Sequence, residues 1–136
     1  MDLLVNIDVD DLPKAIAYYE RALGLHTGRR FGAFAVEMLG ASSPVYLLLK
    51  PGGTKPAPGT DDLRRYHRHW TPVHLDVVVP DIDAAVRRAI DAGATIEGEI
   101  ETRSWGRLAQ IADPFGHGIC FVQFLGRGYD EIADAT

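Results

Sequence analysis

Three side chains in the second half of this 136-residue chain have the chemistry of a working site: His74 and Asp76 in "HLDVV", and Cys120 in "GICFV". A spacing of two puts His74 and Asp76 on one face of a strand. There an imidazole beside a carboxylate can take up and return a proton near neutral pH, which makes the two a candidate catalytic pair. Imidazole also lowers the pKa of a neighbouring thiol, so Cys120 is a nucleophile candidate wherever it comes within hydrogen-bond reach of His74. Away from that partner it reads as a small buried hydrophobe between Ile119 and Phe121. His74 and Cys120 are also competent ligands for a borderline ion such as zinc.

Other polar residues fall where they could line a ligand site. Asn6 and Asp8 alternate in "VNIDV", as His74 and Asp76 do, and Asp8 with Asp76 would form an anionic floor favouring a cationic ligand unless a residue such as Arg29 or Arg30 neutralises it. Glu37 in "AFAVEML" and Gln110 in "LAQIAD" are polar residues within apolar strands, placed on a wet face or in a cleft. Trp70 and Trp105 flank the strands of the second half; they fit core packing or a ring-lined pocket. The cluster "RRYHRH" (64 to 69) could clamp an anion but reads as a solvated linker face, His67-x-His69 included. His117, in "DPFGHG", reads as an exposed turn residue.

The elements that must position these residues come twice. "LVNIDVDDLPKAI" (4 to 16) and "HLDVVVPDIDAAV" (74 to 86) align at an offset of 70, with Asp11 on Asp81 and Ala15 on Ala85. Apolar positions 12, 15, 16, 19, 22 and 23, and 82, 85, 86, 89 and 90, predict one amphipathic helix per half. Asp11 and Asp81 are N-cap residues, Pro13 sits where its missing N–H costs little, and Gly24 and Gly93 end the helices in left-handed conformations, the second one residue shorter. Strands follow near 27 to 31, 33 to 39 and 44 to 50, and near 95 to 102, 105 to 112 and 118 to 125. The pattern predicts an α+β domain over 1–136: a first βαβββ unit (2–50), a Pro- and Gly-rich linker (51–70) with a helical turn around "DDLRRY", a second unit (71–125) and an unassigned tail (126–136). In each first strand the rows Leu3, Val5, Ile7, Val9 and Val73, Leu75, Val77, Val79 pack under the helices, leaving Leu4, Asn6, Asp8 and His74, Asp76, Val78 on the opposite face, where curved mixed sheets would make a cup-shaped cleft.

Paired βαβββ units with "D-[LI]-x-x-A-[IV]" junctions and the closing "ADPFGHGICFVQF" resemble the vicinal oxygen chelate superfamily of glyoxalases, bleomycin-resistance proteins and extradiol dioxygenases, over about residues 3 to 125. The resemblance implies a divalent ion in metal-dependent members, held by a residue seven before each junction Asp and by a carboxylate from each last strand. His74 fits. Leu4 does not, Cys120 stands where the pattern has Glu, and the first-half equivalent falls near Leu47. The expectation is therefore no resident metal. The alternative is one ion held by His74 and Cys120, with a third donor borrowed from Asn6, Asp8, His117 or the His67 and His69 pair. Homodimers are common in the resembled family and symmetric pairs are common generally, and the linker permits the units to pair within a chain or across two.

Composition narrows the classes. A net charge of −5 argues against nucleic-acid binding, and the longest apolar run, "VYLLL", is far short of a membrane span of ~20 residues. The start has no secretory pattern and a lone cysteine makes no intrachain disulfide, so the cytoplasm is expected. No phosphate loop, dinucleotide fingerprint or Ser/His/Asp order appears. The reading is a small-molecule-binding protein that sequesters or acts on an organic, cationic ligand through Asn6, Asp8, Glu37, Trp70, Trp105, Gln110 and Cys120, with catalysis by His74 and Asp76 left open. The alternatives are a metal-dependent glyoxalase-type lyase or isomerase, and after it an extradiol dioxygenase.

Overall fold

The computed structural model describes residues 1–135. It divides into two compact units, Met1–His67 and a second from Arg68 onward, the boundary falling inside the expected linker. In the first unit the order is β1 (Val5–Val9), α1 (Leu12–Leu23), β2 (His26–Phe31), β3 (Ala35–Leu39) and β4 (Val45–Leu49). In the second it is β5 (Leu75–Val78), α2 (Ile82–Ala92), β6 (Thr95–Arg103), β7 (Gly106–Ala112) and β8 (Gly118–Phe124), then a 3-10 turn at Gly128–Glu131. The strand orders are β1-β4-β3-β2 and β5-β8-β7-β6. Each sheet is open and mixed, with its first strand at an edge, parallel to its last, and the others antiparallel. This is the expected α+β pair of βαβββ units. No helix among the described residues is long and apolar enough to cross a membrane.

Both helices start and stop where the sequence places the signals. The Asp11 carboxylate accepts the Lys14 N–H and the Asp81 carboxylate accepts the Ala84 N–H, each at 3.0 Å. Gly24 closes α1 in the left-handed region at φ 69°; Gly93 closes α2 at φ 120°, a positive value outside the left-handed helical well that still calls for glycine. A second acceptor secures α2, because Gln123 Oε1 takes the Ile82 N–H at 2.9 Å.

The helix stripes need correction at their margins. On α1 the buried residues are Leu12, Ala15, Tyr18, Tyr19 and Ala22, so the stripe is centred nearer Tyr18 than Ile16 or Leu23. On α2 Ile90 is exposed. The first-strand rows are also less buried than expected: Ile7 and Val9 are buried, but Leu3 and Val73 are exposed and Leu75 is partly so. The reason is topological. β1 and β5 are edge strands, and the helices lie over inner strands, α1 on β4 and α2 on β7 and β8. The two cores therefore centre on Val36, Met38 and Leu47 under α1, and on Ala109, Ile111 and Phe121 under α2. No helix forms around "DDLRRY"; that segment runs as irregular chain.

Candidate functional site

On the face of the second sheet away from α2, strand register builds three rows. Asp76, Cys120, Gln110 and Glu97 stand side by side across β5, β8, β7 and β6. Next to them lie Val78, Val122, Leu108 and Glu101, and beyond those Phe124, Gly106 and Arg103. His74 precedes β5 on the same face, its Nε2 3.4 Å from Asp76 Oδ1, with both side chains about 40% exposed. One ligand atom from each of His74, Asp76 and Cys120 lies within 4.8 Å of the others. The expected pair and the cysteine are thus brought together, with Gln110 beside them. Gln110, Glu97, Gly98, Glu99, Glu101 and Leu108 line a shallow, largely acidic depression where β6 bulges between Glu97 and Glu101.

Cys120 is buried, and that burial pushes its thiol up to about 11; the neighbouring carboxylate of Asp76 raises it further by charge and by accepting a hydrogen bond. At neutral pH the thiol keeps its proton, so the nucleophile reading of Cys120 with His74 is not favoured. Trp70 is placed by contacts the sequence did not reveal. Its indole N–H donates to Glu97 Oε2 at 2.9 Å, the Arg68 guanidinium stacks 4.1 Å from its ring centroid, and it forms a T-shaped pair with His74, centroids 6.0 Å apart. Arg68 in turn forms an ion pair with Glu97, whose carboxyl is held below its ordinary range first by that hydrogen bond. Asp113 is buried in the "DPFGHG" turn, accepting the N–H groups of Phe115 and His117, which makes the turn a rigid lead into β8.

The first sheet repeats the arrangement with different chemistry. Asn6, Tyr46 and Glu37 form the row that corresponds to Asp76, Cys120 and Gln110. The first-half counterpart of Cys120 is therefore Tyr46; Leu47 points into the core and is fully buried, because a one-residue shift on a strand reverses the face. Glu37 is buried and bound: Arg29 donates to it through Nε at 3.1 Å and the Tyr46 hydroxyl at 3.0 Å, so its carboxyl is drawn down to about 2, mainly by the Arg29 hydrogen bond. Asp8 is not left as part of an open anionic floor: Arg64 pairs with it at 2.7 Å, while Arg29 is bound to Glu37. Arg64 also donates to Thr54 Oγ1 and the Lys55 carbonyl, tying the linker to β1. Within the basic cluster Arg65 and His67 are exposed, as a solvated face requires, but Arg64 and Arg68 end in ion pairs.

Trp105 lies at the far end of the second sheet, its ring 6.4 Å from Phe124 and 5.1 Å from Tyr129 of the 3-10 turn. Phe124 and Tyr129 had no signal in the sequence, because one closes a strand and the other sits in a tail without periodicity. Thr136 of that tail lies outside the described residues.

A family model for a glyoxalase-like domain matches residues 4–122, nearly all of both units. The chain belongs to this glyoxalase-like family. It is 34% identical over 127 residues to an uncharacterized protein of Mycobacterium bovis, covering 82% of this chain and 76% of that one. It is 32% identical over 137 residues to the anthracycline biosynthesis protein DauV of Streptomyces sp. strain C5; the match takes in 97% of this chain but only 44% of that relative, so the chain spans less than half its length. Among solved structures, TnmS3, an antibiotic binding protein from Streptomyces sp. CB03234, superposes with a TM-score of 0.63 at 22% identity, over 92% of this chain and 96% of that one, a likeness of fold.

This glyoxalase-like chain departs from the ion-binding pattern of the resembled superfamily at the residue level. The four positions are Leu4, Tyr46, His74 and Cys120. Leu4 is an exposed aliphatic with no donor, and the Tyr46 hydroxyl is committed to Glu37. A four-position ion site does not fit this donor set. What the second unit offers instead is the local trio His74, Asp76 and Cys120, in which Asp76 is the third donor that spacing alone did not nominate. Three donors reach the minimum of a catalytic zinc site, but the buried thiol would first have to give up its proton.

Proposed function

We propose that this protein binds a small organic ligand on the open face of its second sheet, by non-covalent contacts and without a resident metal ion. The observation that carries this reading is the grading of that face. Polar groups at His74, Asp76 and Gln110 give way to the accessible Leu108 and Val78 and then to the rings at Trp105 and Phe124, the mixture of apolar lining and few polar groups that organic ligands need. The acidic depression around Glu99 favours a cationic group on the ligand. The names of two similar proteins, one in anthracycline biosynthesis and one an antibiotic binding protein, support an organic ligand of that size class. A second reading, a metal-dependent glyoxalase-type lyase, is favoured by the clustering of His74, Asp76 and Cys120.

Elemental analysis of protein purified without chelator, followed by thermal unfolding with cationic organic compounds and with divalent metals, decides between them. The expected result is metal well below one ion per chain and a midpoint raised by an organic cation, since a ligand that binds only the folded state stabilises it by mass action. A stoichiometric ion that His74→Ala removes would overturn the proposal in favour of the lyase.

A further inference from the structure

We propose that the segment after β8 is part of the ligand site, its Tyr129 completing with Trp105 and Phe124 a stacking platform that selects flat aromatic cations; this rests on the ligand-binding reading above. The segment is tied down at its start. The Leu125 N–H donates to the Trp105 carbonyl at 3.0 Å, and the Gly128 N–H donates to the Leu125 carbonyl at 2.8 Å. Gly128 has φ 62° and packs so closely that an added Cβ would lie 3.2 Å from the Phe124 ring. This close approach sets Tyr129 edge-on to Phe124, with centroids 4.8 Å apart, and tilted against Trp105 at 5.1 Å.

Three rings gathered only to close a core would be buried. Phe124 instead remains 39% exposed and Tyr129 51%, so the cluster offers ring surface to solvent. That surface is on the same face as the polar row, because Phe124 stands two alternations along β8 from Cys120. Four residues of strand separate them by about 13 Å, so a flat fused-ring molecule can lie over the half-buried Leu108 with its rings against the aromatic end. Its charged end then reaches the carboxylates of the depression. Among these Glu97 and Glu101 are already paired with Arg68 and Arg103, whereas Glu99 makes no ion pair among the described residues. Aromatic faces attract flat rings by stacking and cations through the ring quadrupole, and a saturated cation of equal charge gains less from them.

The test is calorimetric titration of the full chain with two probes of equal charge, the flat 3,6-diaminoacridinium cation and the saturated adamantylammonium cation. Wild type should bind the acridinium more tightly. Tyr129→Ala should weaken acridinium binding about tenfold and adamantylammonium binding less than twofold, with Tyr129→Phe restoring the wild-type value. Equal affinity for the two probes, an unchanged acridinium affinity in Tyr129→Ala, or a parallel loss of both probes would overturn the stacking role while leaving ligand binding at the face intact. Binding of neither probe to wild type would overturn both readings.

Discussion

Asp76 and Cys120 face each other across the parallel β5–β8 pair, and the carboxylate helps to hold the proton on the only thiol in the chain. Burial is the larger cause and the charge of Asp76 the next. Both act in one direction, because each disfavours a thiolate. The polar end of the site face is thus arranged for hydrogen bonding rather than for nucleophilic attack by sulfur. His74 stands half-exposed beside Asp76, its Nε2 3.4 Å from the carboxylate, and keeps that contact on the open side of the row.

The first prediction concerns that thiol. Native protein should be alkylated by iodoacetamide at pH 8 far more slowly than protein unfolded in guanidinium, and Asp76→Asn should speed the native reaction several-fold by removing one of the two causes. The linkage has a definite sign: a thiol whose folded pKa is near 11 favours the folded state while protonated, so stability is lost as pH rises from about 9, where the unfolded thiol ionises, toward about 11. Chemical unfolding midpoints across that range check it, with Cys120→Ala as the variant lacking this component.

Glu37 yields the opposite dependence. Its carboxyl is depressed to about 2 by Arg29, so its contribution to stability is complete above the ordinary carboxylate range near 4.5 and disappears as pH falls through about 2. Glu37→Gln should be less stable than wild type at pH 7, and the gap in urea midpoint should narrow steadily between pH 5 and pH 2. A constant gap would mean that Glu37 contributes by packing rather than by charge.

How far the sequence reaches is clearest from residue pairs. The repeat at an offset of 70, the Asp caps and the glycine stops all depend on neighbours within a few residues, and the structure has them in place. His74 and Asp76 are placed on one face by period-two alternation, which needs only correct strand boundaries, whereas Cys120 enters through the resemblance and the face of Gln110 is left open, because their partners lie on other strands. The first-half counterpart of Cys120 fell one residue off, at Leu47 instead of Tyr46, because an apolar run such as "VYLLL" carries no alternation to fix its face. The groups that were missed are bound through distant partners: Arg68 to Glu97 across 29 residues and Arg64 to Asp8 across 56. Nothing in local spacing ranks those arginines above Arg65, which lies between them. Tyr129 had no period at all, and its place follows from one glycine packed against one ring.

The N-terminus of α2 gives a stability prediction with an internal comparison. Two side-chain oxygens serve its first turn, Asp81 on Ala84 and Gln123 on Ile82. Asp81→Ala should cost about 1 kcal/mol, as cap removals do. Gln123→Ala should cost a similar amount, because it frees an N–H that only the far strand serves. Asp11→Ala, at the cap of α1, should match Asp81→Ala within error in denaturant midpoints.

The last prediction turns on Gly118, over which Trp70 lies so closely that an added Cβ would stand 2.5 Å from the ring carbons Cε3 and Cζ3. No side chain fits that gap unless the indole moves. Gly118→Ala should therefore displace Trp70, lengthening its N–H contact with Glu97 and removing the ring from beneath Arg68. Tryptophan emission should shift to the red, and the cost should be about 1 kcal/mol, the low end for overpacking, because the ring is 41% exposed and has solvent to move into. The decisive control is the double mutant. In a Trp70→Ala background the same Gly118→Ala change meets no ring, so its cost should vanish, giving a coupling energy close to the whole single-mutant effect. A cost that persists there would place the clash in the β8 backbone and leave Trp70 with no part in fixing the end of the site face.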